Sequence, residues 1–281
     1  MDATKQQDDP LFWKLQDTEP TYWDEYIATR PLYDENIFRR VYDYHASHSG
    51  LRTTALDIGE DLLQHQSPGS FDLITCAETF PLMDTQIALD NIFTLLQPGG
   101  TLAIWFYGPP FFTEPDVAPT CQPIFDSIMD HNFCPVVSGG GEARRASWKR
   151  AADGMFSWLD YIPFSPNQWR DVRRHKWNPH ARLSFFSHHA CDFPIELTNS
   201  VAQDEVVSQT HDPSFWETSW DVSMLRKFVK ASFPKPVELD GLDEEIERLF
   251  EKLAEAMGGD EVKRLLSWPA VLILAGKAEE I

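Results

Sequence analysis

Residues 55–62, Ala-Leu-Asp-Ile-Gly-Glu-Asp-Leu, decide how this chain is interpreted. The first five are typical of a short buried strand that ends in an Asp-x-Gly turn, at the edge where parallel α/β sheets bind ligands. Such a turn normally continues into further glycines and a helix whose free N–H groups face the ligand. Here Gly59 is followed at once by Glu60-Asp61-Leu62, with no second glycine nearby. The sequence therefore predicts a ligand loop that is cut short.

Outward from this stretch, strands alternate with a helix. Phe71–Ala77 is a second apolar strand, and a helix is predicted from about Asp84, its N-cap. Pro98-Gly99-Gly100 should stop that helix. Residues 101–107 then form a nearly continuous apolar run, typical of a strand covered on both faces. Strand, helix and strand make a βαβ unit, so we predict an α/β fold with a mainly parallel sheet.

The N-terminal part is predicted to be helical in two pieces. Residues 1–21 are polar and expected to be flexible, whereas residues 22–281 are expected to form a single domain. The helical pattern of residues 22–45 breaks at Arg30-Pro31, because the residue before a proline avoids the helical region.

The second half of the chain is less regular. Residues 108–235 are rich in proline and aromatic side chains and are predicted to form a helical, aromatic cap or insert. Residues 240–257 read as an amphipathic helix that Gly258-Gly259 ends, and residues 267–277 as a final strand.

Net charge, cysteine content and hydrophobicity indicate which partners and which cell compartment to expect. The chain has 281 residues and a net charge of −20, so phosphate-rich nucleic acid and anionic membrane surfaces are expected to be repelled. Its four cysteines are scattered, the first residues are polar, and no apolar run approaches the length of a membrane span. We therefore expect a cytoplasmic protein that binds neither nucleic acid nor membrane. Its cysteines and histidines match no standard zinc spacing, so no metal is expected.

Four motifs together resemble class I S-adenosylmethionine-dependent methyltransferases: Leu-Asp-Ile-Gly at 56–59, Glu-Asp-Leu at 60–62, Phe-Asp-Leu-Ile-Thr at 71–75 and Leu-Gln-Pro-Gly-Gly-Thr-Leu at 96–102. The flanking segments are similar to the trans-aconitate methyltransferase-like group, and to its fungal members in particular. These segments are Tyr26-x-x-x-Arg30-Pro31-x-Tyr33, Ala-Ile-Trp-x-Tyr at 103–107, Asp-Pro-Ser-Phe-Trp-Glu at 212–217 and Trp-Pro-Ala-Val-Leu-Ile-Leu-Ala at 268–275. The resemblance covers about residues 22–277 and implies a Rossmann-like methyltransferase fold.

The resemblance also implies a cofactor and a division of the site. S-adenosylmethionine would be held by Asp57 and Gly59 at its methionine end and by Asp61 at the adenine, with Cys76 and Ala77 along its flank. The substrate and the N-terminal lid would be served by five further side chains: Tyr26, Arg30, Tyr33, Trp105 and Tyr107. No catalytic residue is assigned.

The sequence differs in two places from the motif pattern of the methyltransferases that it resembles. The rest of the glycine loop, its helix, the second strand with its ribose-binding acid and most of the third strand are absent after Gly59, about two βα units or roughly 50 residues. Their loss would expose one edge of the sheet and predicts weak or absent cofactor binding. In addition, Pro81-Leu82 stand where relatives usually carry His-Trp, although Asp84 is retained.

Two functional hypotheses follow. The first is methyl transfer to an oxygen of a small molecule; a carboxylate acceptor would need no general base, and Arg30 or the basic residues 144–150 could hold it. The second is a pseudo-methyltransferase without cofactor, acting as a binding protein, dimeric through the exposed sheet edge, or as a cofactor-free enzyme. The gap itself is either a natural deletion or a segment skipped in this version of the sequence.

Overall fold

The centre of the molecule is a six-stranded sheet. The structure, a computed structural model, describes residues 27–49, 55–57, 66–138, 141–232 and 242–279. Its strands are β1 (Ala55–Asp57), β2 (Phe71–Ala77), β3 (Leu96–Tyr107), β4 (Phe111–Phe112), β5 (Trp169–Trp177), β6 (Val206–Thr210), β7 (Thr218–Trp220), β8 (Arg264–Ser267) and β9 (Ala270–Lys277). Its helices are α1 (Glu35–Ser49), α2 (Thr85–Leu95), α3 (Ala118–Ser138), α4 (Glu142–Phe156), α5 (Val222–Ser232) and α6 (Leu242–Met257).

The strand order of the main sheet is β1-β2-β3-β9-β5-β6, and β4, β8 and β7 form a small second sheet. Strands β1, β2 and β3 pair in parallel, as do β5 and β6, whereas β9 runs antiparallel between β3 and β5. The predicted α/β fold with a mainly parallel sheet is therefore confirmed. The carboxyl ends of β2, β3 and β5 consequently meet at one edge, where ligands are expected.

The predicted elements of the first half form where their sequence signals lie. Strand β2 has the predicted bounds, and α2 begins after Asp84, whose side chain accepts a hydrogen bond from the N–H of Ile87 (3.2 Å). The N-terminal helical pattern is broken as expected, because residues 30–34 are non-helical between the helical residues 27–29 and α1. The central strand β9 is buried along its whole length, which is the signature of a strand covered on both faces.

Two boundaries differ from the prediction. Strand β3 begins at Leu96, so Pro98-Gly99-Gly100 lies inside the strand instead of before it. Phe71 pairs with Leu96 but Leu73 pairs with Thr101, so these residues form a bulge that absorbs the change of register. The predicted last strand is split at Trp268-Pro269, because β8 turns away to pair with β4 and β7 in the small sheet.

The region 108–235 is more than a cap. It supplies helices α3, α4 and α5, as predicted, but also β5 and β6, which extend the main sheet beyond β9. Helix α6 confirms the amphipathic pattern: Ile246, Phe250 and Leu253 are buried, and Gly258 ends the helix with a positive φ of 96°. Among the helices of the described residues, none has the length and apolar character that crossing a membrane requires.

Candidate active site

Four of the predicted lid and substrate residues meet at the carboxyl ends of β2 and β3. The Arg30 guanidinium donates a hydrogen bond from Nη1 to the phenol oxygen of Tyr107 (2.6 Å). The ring of Tyr33 lies edge-on to Trp105 and Tyr107, with centroids 5.5 and 6.2 Å away. The fifth predicted residue, Tyr26, lies outside the described residues. The structure thus brings these four side chains together, and their role toward a ligand stays a prediction.

The segment predicted to form an N-terminal lid is fastened to the second half of the chain. Arg30 Nη2 donates to the carbonyl oxygen of Ser232 at the end of α5 (3.1 Å), and the indole N–H of Trp216 donates to the carbonyl oxygen of Leu32 (2.7 Å). The Trp216 ring also lies 5.1 Å from that of Tyr107. Two separate hydrogen bonds therefore fasten residues 30–32 to the second half of the chain, and buried aromatic rings pack beside them.

Glu78, which the sequence analysis did not single out, sits in the middle of this group. It follows β2 directly and has a positive φ of 61°, a left-handed conformation that costs a residue other than glycine about 1–3 kcal/mol. Its N–H donates to the carbonyl oxygen of Trp105 (3.0 Å), and its Oε1 accepts the N–H of Tyr107 (2.7 Å). The side chain is thereby held at the very edge where the two strands end.

The electrostatics of Glu78 are set by two opposing effects. Burial raises the pKa of its carboxyl well above the ordinary value, whereas the positive charge of Arg30 and the hydrogen bond from the Tyr107 N–H lower it. Carboxylates with perturbed pKa values in a cleft are candidates for acid–base work. The signal that could have revealed Glu78 is its position, as the first charged residue after an apolar strand at the ligand-binding edge of the sheet.

A cavity of about 560 Å³ opens beside this group, between α1 and one face of β2. Leu73, Thr75 and Ala77 alternate along β2, so all three side chains point to this face, and each is only partly buried. The remaining wall is mostly aromatic and consists of Tyr33, Phe38, Val41, Tyr42, His45 and Trp105. In the described part of the chain, this face of β2 is therefore incompletely covered.

The predicted cofactor residues are only partly described. Asp57 ends β1, in register with Thr75 of β2, while Gly59 and Asp61 lie outside the described residues. Cys76 is fully buried on the opposite face of β2 from the cavity, and Ala77 lines the cavity. These assignments remain predictions. Of the predicted cofactor residues whose side chains are described, Ala77 lines the cavity and Cys76 does not.

The basic residues 144–150, considered above as holders of an acidic substrate, form part of α4, and two of them are paired with acids. Arg145 contacts the Asp192 carboxylate (3.1 Å), and Lys149 contacts those of Asp153 (2.7 Å) and Glu196 (3.2 Å). These partners account for the charges of Arg145 and Lys149 without a ligand.

Comparison with known proteins places the chain among fungal methyltransferases. It is 36% identical to methyltransferase pgmE of Aspergillus terreus, with 95% of this chain and 97% of that protein covered. It is 30% identical to methyltransferase cfoB of Aspergillus candidus (97% and 99% covered) and to methyltransferase ptaI of Pestalotiopsis fici (90% and 92%). No protein-family profile matches it. A solved structure from Anaeromyxobacter dehalogenans is similar at 13% identity and a TM-score of 0.44, covering 89% of this chain and 99% of that one.

The lengths of these alignments bear on the shortened loop. The match with pgmE runs over 324 aligned positions, whereas this chain has 281 residues, so at least 43 positions of the relative have no counterpart here. That number agrees with the two βα units, roughly 50 residues, expected to be missing. Because the identity nevertheless extends over almost the whole of both chains, the protein belongs to the family of fungal methyltransferases that includes pgmE.

Proposed function

We propose that this chain is built to transfer a methyl group from S-adenosylmethionine to an oxygen of a small molecule held under the N-terminal lid. The observation that carries the proposal is the convergence of lid, second half and sheet edge on one crevice, through the contacts of Arg30 and Trp216. Ligands of parallel α/β sheets bind at this edge. Methyl transfer consists mainly of holding donor and acceptor in line, which a closed, preformed crevice does.

The aromatic side chains beside the cavity indicate the kind of acceptor. Tyr33, Trp105, Tyr107 and Trp216 form a continuous set of ring contacts, with centroid distances between 5.1 and 6.2 Å, and Tyr33 and Trp105 also line the cavity. Rigid aromatic walls with few polar groups favour flat, largely apolar ligands and orient them through those few groups. We therefore propose an aromatic small molecule as the acceptor.

The cofactor half of the site is where this chain differs from its relatives. We propose that the positions it lacks belong between Gly59 and Glu60, where the glycine loop and the ribose-binding acid would lie. Two features support this placement: the abrupt junction in the sequence and the incompletely covered face of β2 beside β1. The described residues supply a cavity next to this place, and the missing positions would complete the cradle.

The proposal is tested by comparing two proteins. One is the 281-residue chain; the other is the same chain with the corresponding pgmE segment inserted between Gly59 and Glu60. S-adenosylmethionine and S-adenosylhomocysteine are titrated into each by calorimetry, with thermal unfolding in parallel. We expect the restored chain to bind both and, at a hundred times the dissociation constant, to gain about 2.7 kcal/mol of stability. The shorter chain should bind much more weakly.

Two outcomes would contradict this account. If the 281-residue chain binds as tightly as the restored one, its shortened crevice is already complete and the placement of the gap is wrong. If both proteins are folded and neither binds at millimolar ligand, methyl transfer is overturned, and a binding protein or a cofactor-free enzyme takes its place.

A further inference from the structure

We infer that Glu78 is the general base of this site and that the acceptor is a hydroxyl compound, a phenol in particular, instead of a carboxylate. The inference rests on the proposed methyl transfer and deepens it. It depends on three properties of Glu78 that are independent of each other: its place in the fold, the way its two oxygens are used, and the charge beside it.

The first property is position. Glu78 lies between the end of β2 and the lid, and its backbone is fixed by the hydrogen bond from its N–H to Trp105. The left-handed conformation turns the chain sharply at this point, and no glycine is present to relieve the strain. Strained backbone at residues other than glycine clusters at functional sites, where surrounding contacts impose it.

The second property is that the two carboxyl oxygens have different surroundings. Oε1 is held by the N–H of Tyr107 at 2.7 Å. Within the described ranges, Oε2 accepts no hydrogen bond, so it is the oxygen that can face a ligand. A general base needs this arrangement, because it must reach the proton to within hydrogen-bond distance from a fixed position.

The third property is local charge. The Arg30 guanidinium, bonded to Tyr107 and Ser232, lies close enough to Glu78 to stabilise its ionised form against burial. Since the charge of Arg30 is thus balanced by Glu78, it offers little net attraction to an anionic acceptor. A carboxylate substrate would therefore find no net positive charge here and no proton to share with an ionised Oε2, whereas a neutral hydroxyl would donate a hydrogen bond to it.

The chemistry then balances in one step. The acceptor oxygen forms a bond to the methyl carbon while the carbon–sulfur bond of the sulfonium donor breaks, and that electron pair remains on sulfur. The proton of the hydroxyl passes to Oε2 of Glu78 and later returns to solvent. A hydroxyl becomes a good nucleophile only as it loses its proton, so a positioned base contributes about 10²–10⁴-fold in rate.

A binding experiment tests the inference without any cofactor, so its failure is separable from that of the proposed methyl transfer. The probes are 4-nitrophenol and 4-nitrobenzoate, which has a similar shape and a negative charge. Both are titrated at several pH values below that at which the phenol ionises, because burial raises the pKa of Glu78 and the preference should grow as this carboxyl ionises. We expect the chain to bind the phenol about tenfold more tightly, the value of one hydrogen bond to a charged group. In Glu78→Gln this preference should disappear, because the amide is a weaker acceptor and carries no charge.

The matched control is Glu142→Gln, which removes the same charge from an exposed position at the start of α4 and should keep the preference. The amide oxygen of Glu78→Gln can still accept the Tyr107 N–H, so the variant should remain folded, and its unfolding temperature checks this. A folded wild-type chain that prefers 4-nitrobenzoate, or binds neither probe, overturns the inference. So does a Glu78→Gln variant with an unchanged preference.

A kinetic test completes the argument in whichever protein, the 281-residue or the restored chain, turns over a phenol. Glu78→Gln should lower kcat by about 10²–10⁴-fold with little change in KM, and the fall of rate toward acidic pH should vanish. An unaltered pH profile, or a loss confined to KM, would show that Glu78 only positions the acceptor and would overturn its role as a base.

Discussion

At the scale of single residues, Glu78 is expected to affect the pH dependence of stability as well as the reaction. Burial raises the pKa of its carboxyl well above the ordinary value of 4.5, so the folded state holds this proton more tightly than the unfolded state does. Its contribution to stability is therefore present at acidic pH and is lost as pH rises from about 4.5 through the folded pKa. Glu78→Gln should not show this loss. Its free energy of unfolding, measured in urea, should therefore rise relative to that of the wild type toward neutral pH. If the free energies of unfolding of the two proteins change with pH in parallel, the raised pKa of Glu78 is contradicted.

The sequence indicated four side chains that the structure brings together, but not Glu78 beside them. Arg30, Tyr33, Trp105 and Tyr107 carry a recognisable spacing, and the structure brings them together. Glu78 has no such spacing: its importance arises from a left-handed backbone and a bond to the N–H of a neighbouring strand. Those features exist only once β2 and β3 are paired, so the sequence could show the position of Glu78 after an apolar strand but not these contacts.

At the scale of elements, the lid hydrogen bond of Trp216 is the contact that a variant can remove cleanly. Trp216→Phe keeps an aromatic ring but loses the donor to Leu32, which should cost about 0.5–1.5 kcal/mol and let the lid open more often. We expect weaker binding of 4-nitrophenol by calorimetry, with the fold retained. Trp220→Phe is the matched control, since Trp220 is a buried tryptophan whose ring contacts lie with Phe228 and Trp268. Equal effects of the two variants would mean general loosening instead of lid opening.

Strand β5 shows why one element was assigned to a cap. Its sequence, Trp-Arg-Asp-Val-Arg-Arg-His-Lys-Trp, is too basic to read as a buried strand. The structure neutralises these charges with partners distant in sequence: the fully buried Arg174 bonds Glu205 and the carbonyl oxygens of Leu159 and Ile162, and Lys176 bonds Asp160 at 2.6 Å. A pattern within the strand cannot reveal such pairing.

This buried pair gives a prediction on stability. Glu205→Gln removes the nearer partner of a buried guanidinium and should destabilise the chain by about 3–5 kcal/mol, because the charge of Arg174 then keeps only the more distant Asp160 carboxylate at 3.8 Å. Glu247→Gln, which breaks the surface pair with Arg226, should cost less than about 1 kcal/mol. Denaturant unfolding of both variants checks the contrast; similar losses would show that the β5 pair is screened like a surface one.

At the scale of the whole molecule, the position of β1 at the end of the described sheet has a consequence for association. Among the described strands β1 pairs with β2 alone, and the neighbouring face of β2 is open to a cavity. A sheet edge of this kind invites pairing with another chain, and an exposed apolar face adds to the attraction. We propose that the 281-residue chain associates through this edge, and that the chain restored with the pgmE segment, whose added strands would cover β1, is monomeric. Light scattering over a dilution series compares the two. A 281-residue chain that stays monomeric at high concentration would show that its own residues already protect β1, and would also weaken the case that a segment is missing there.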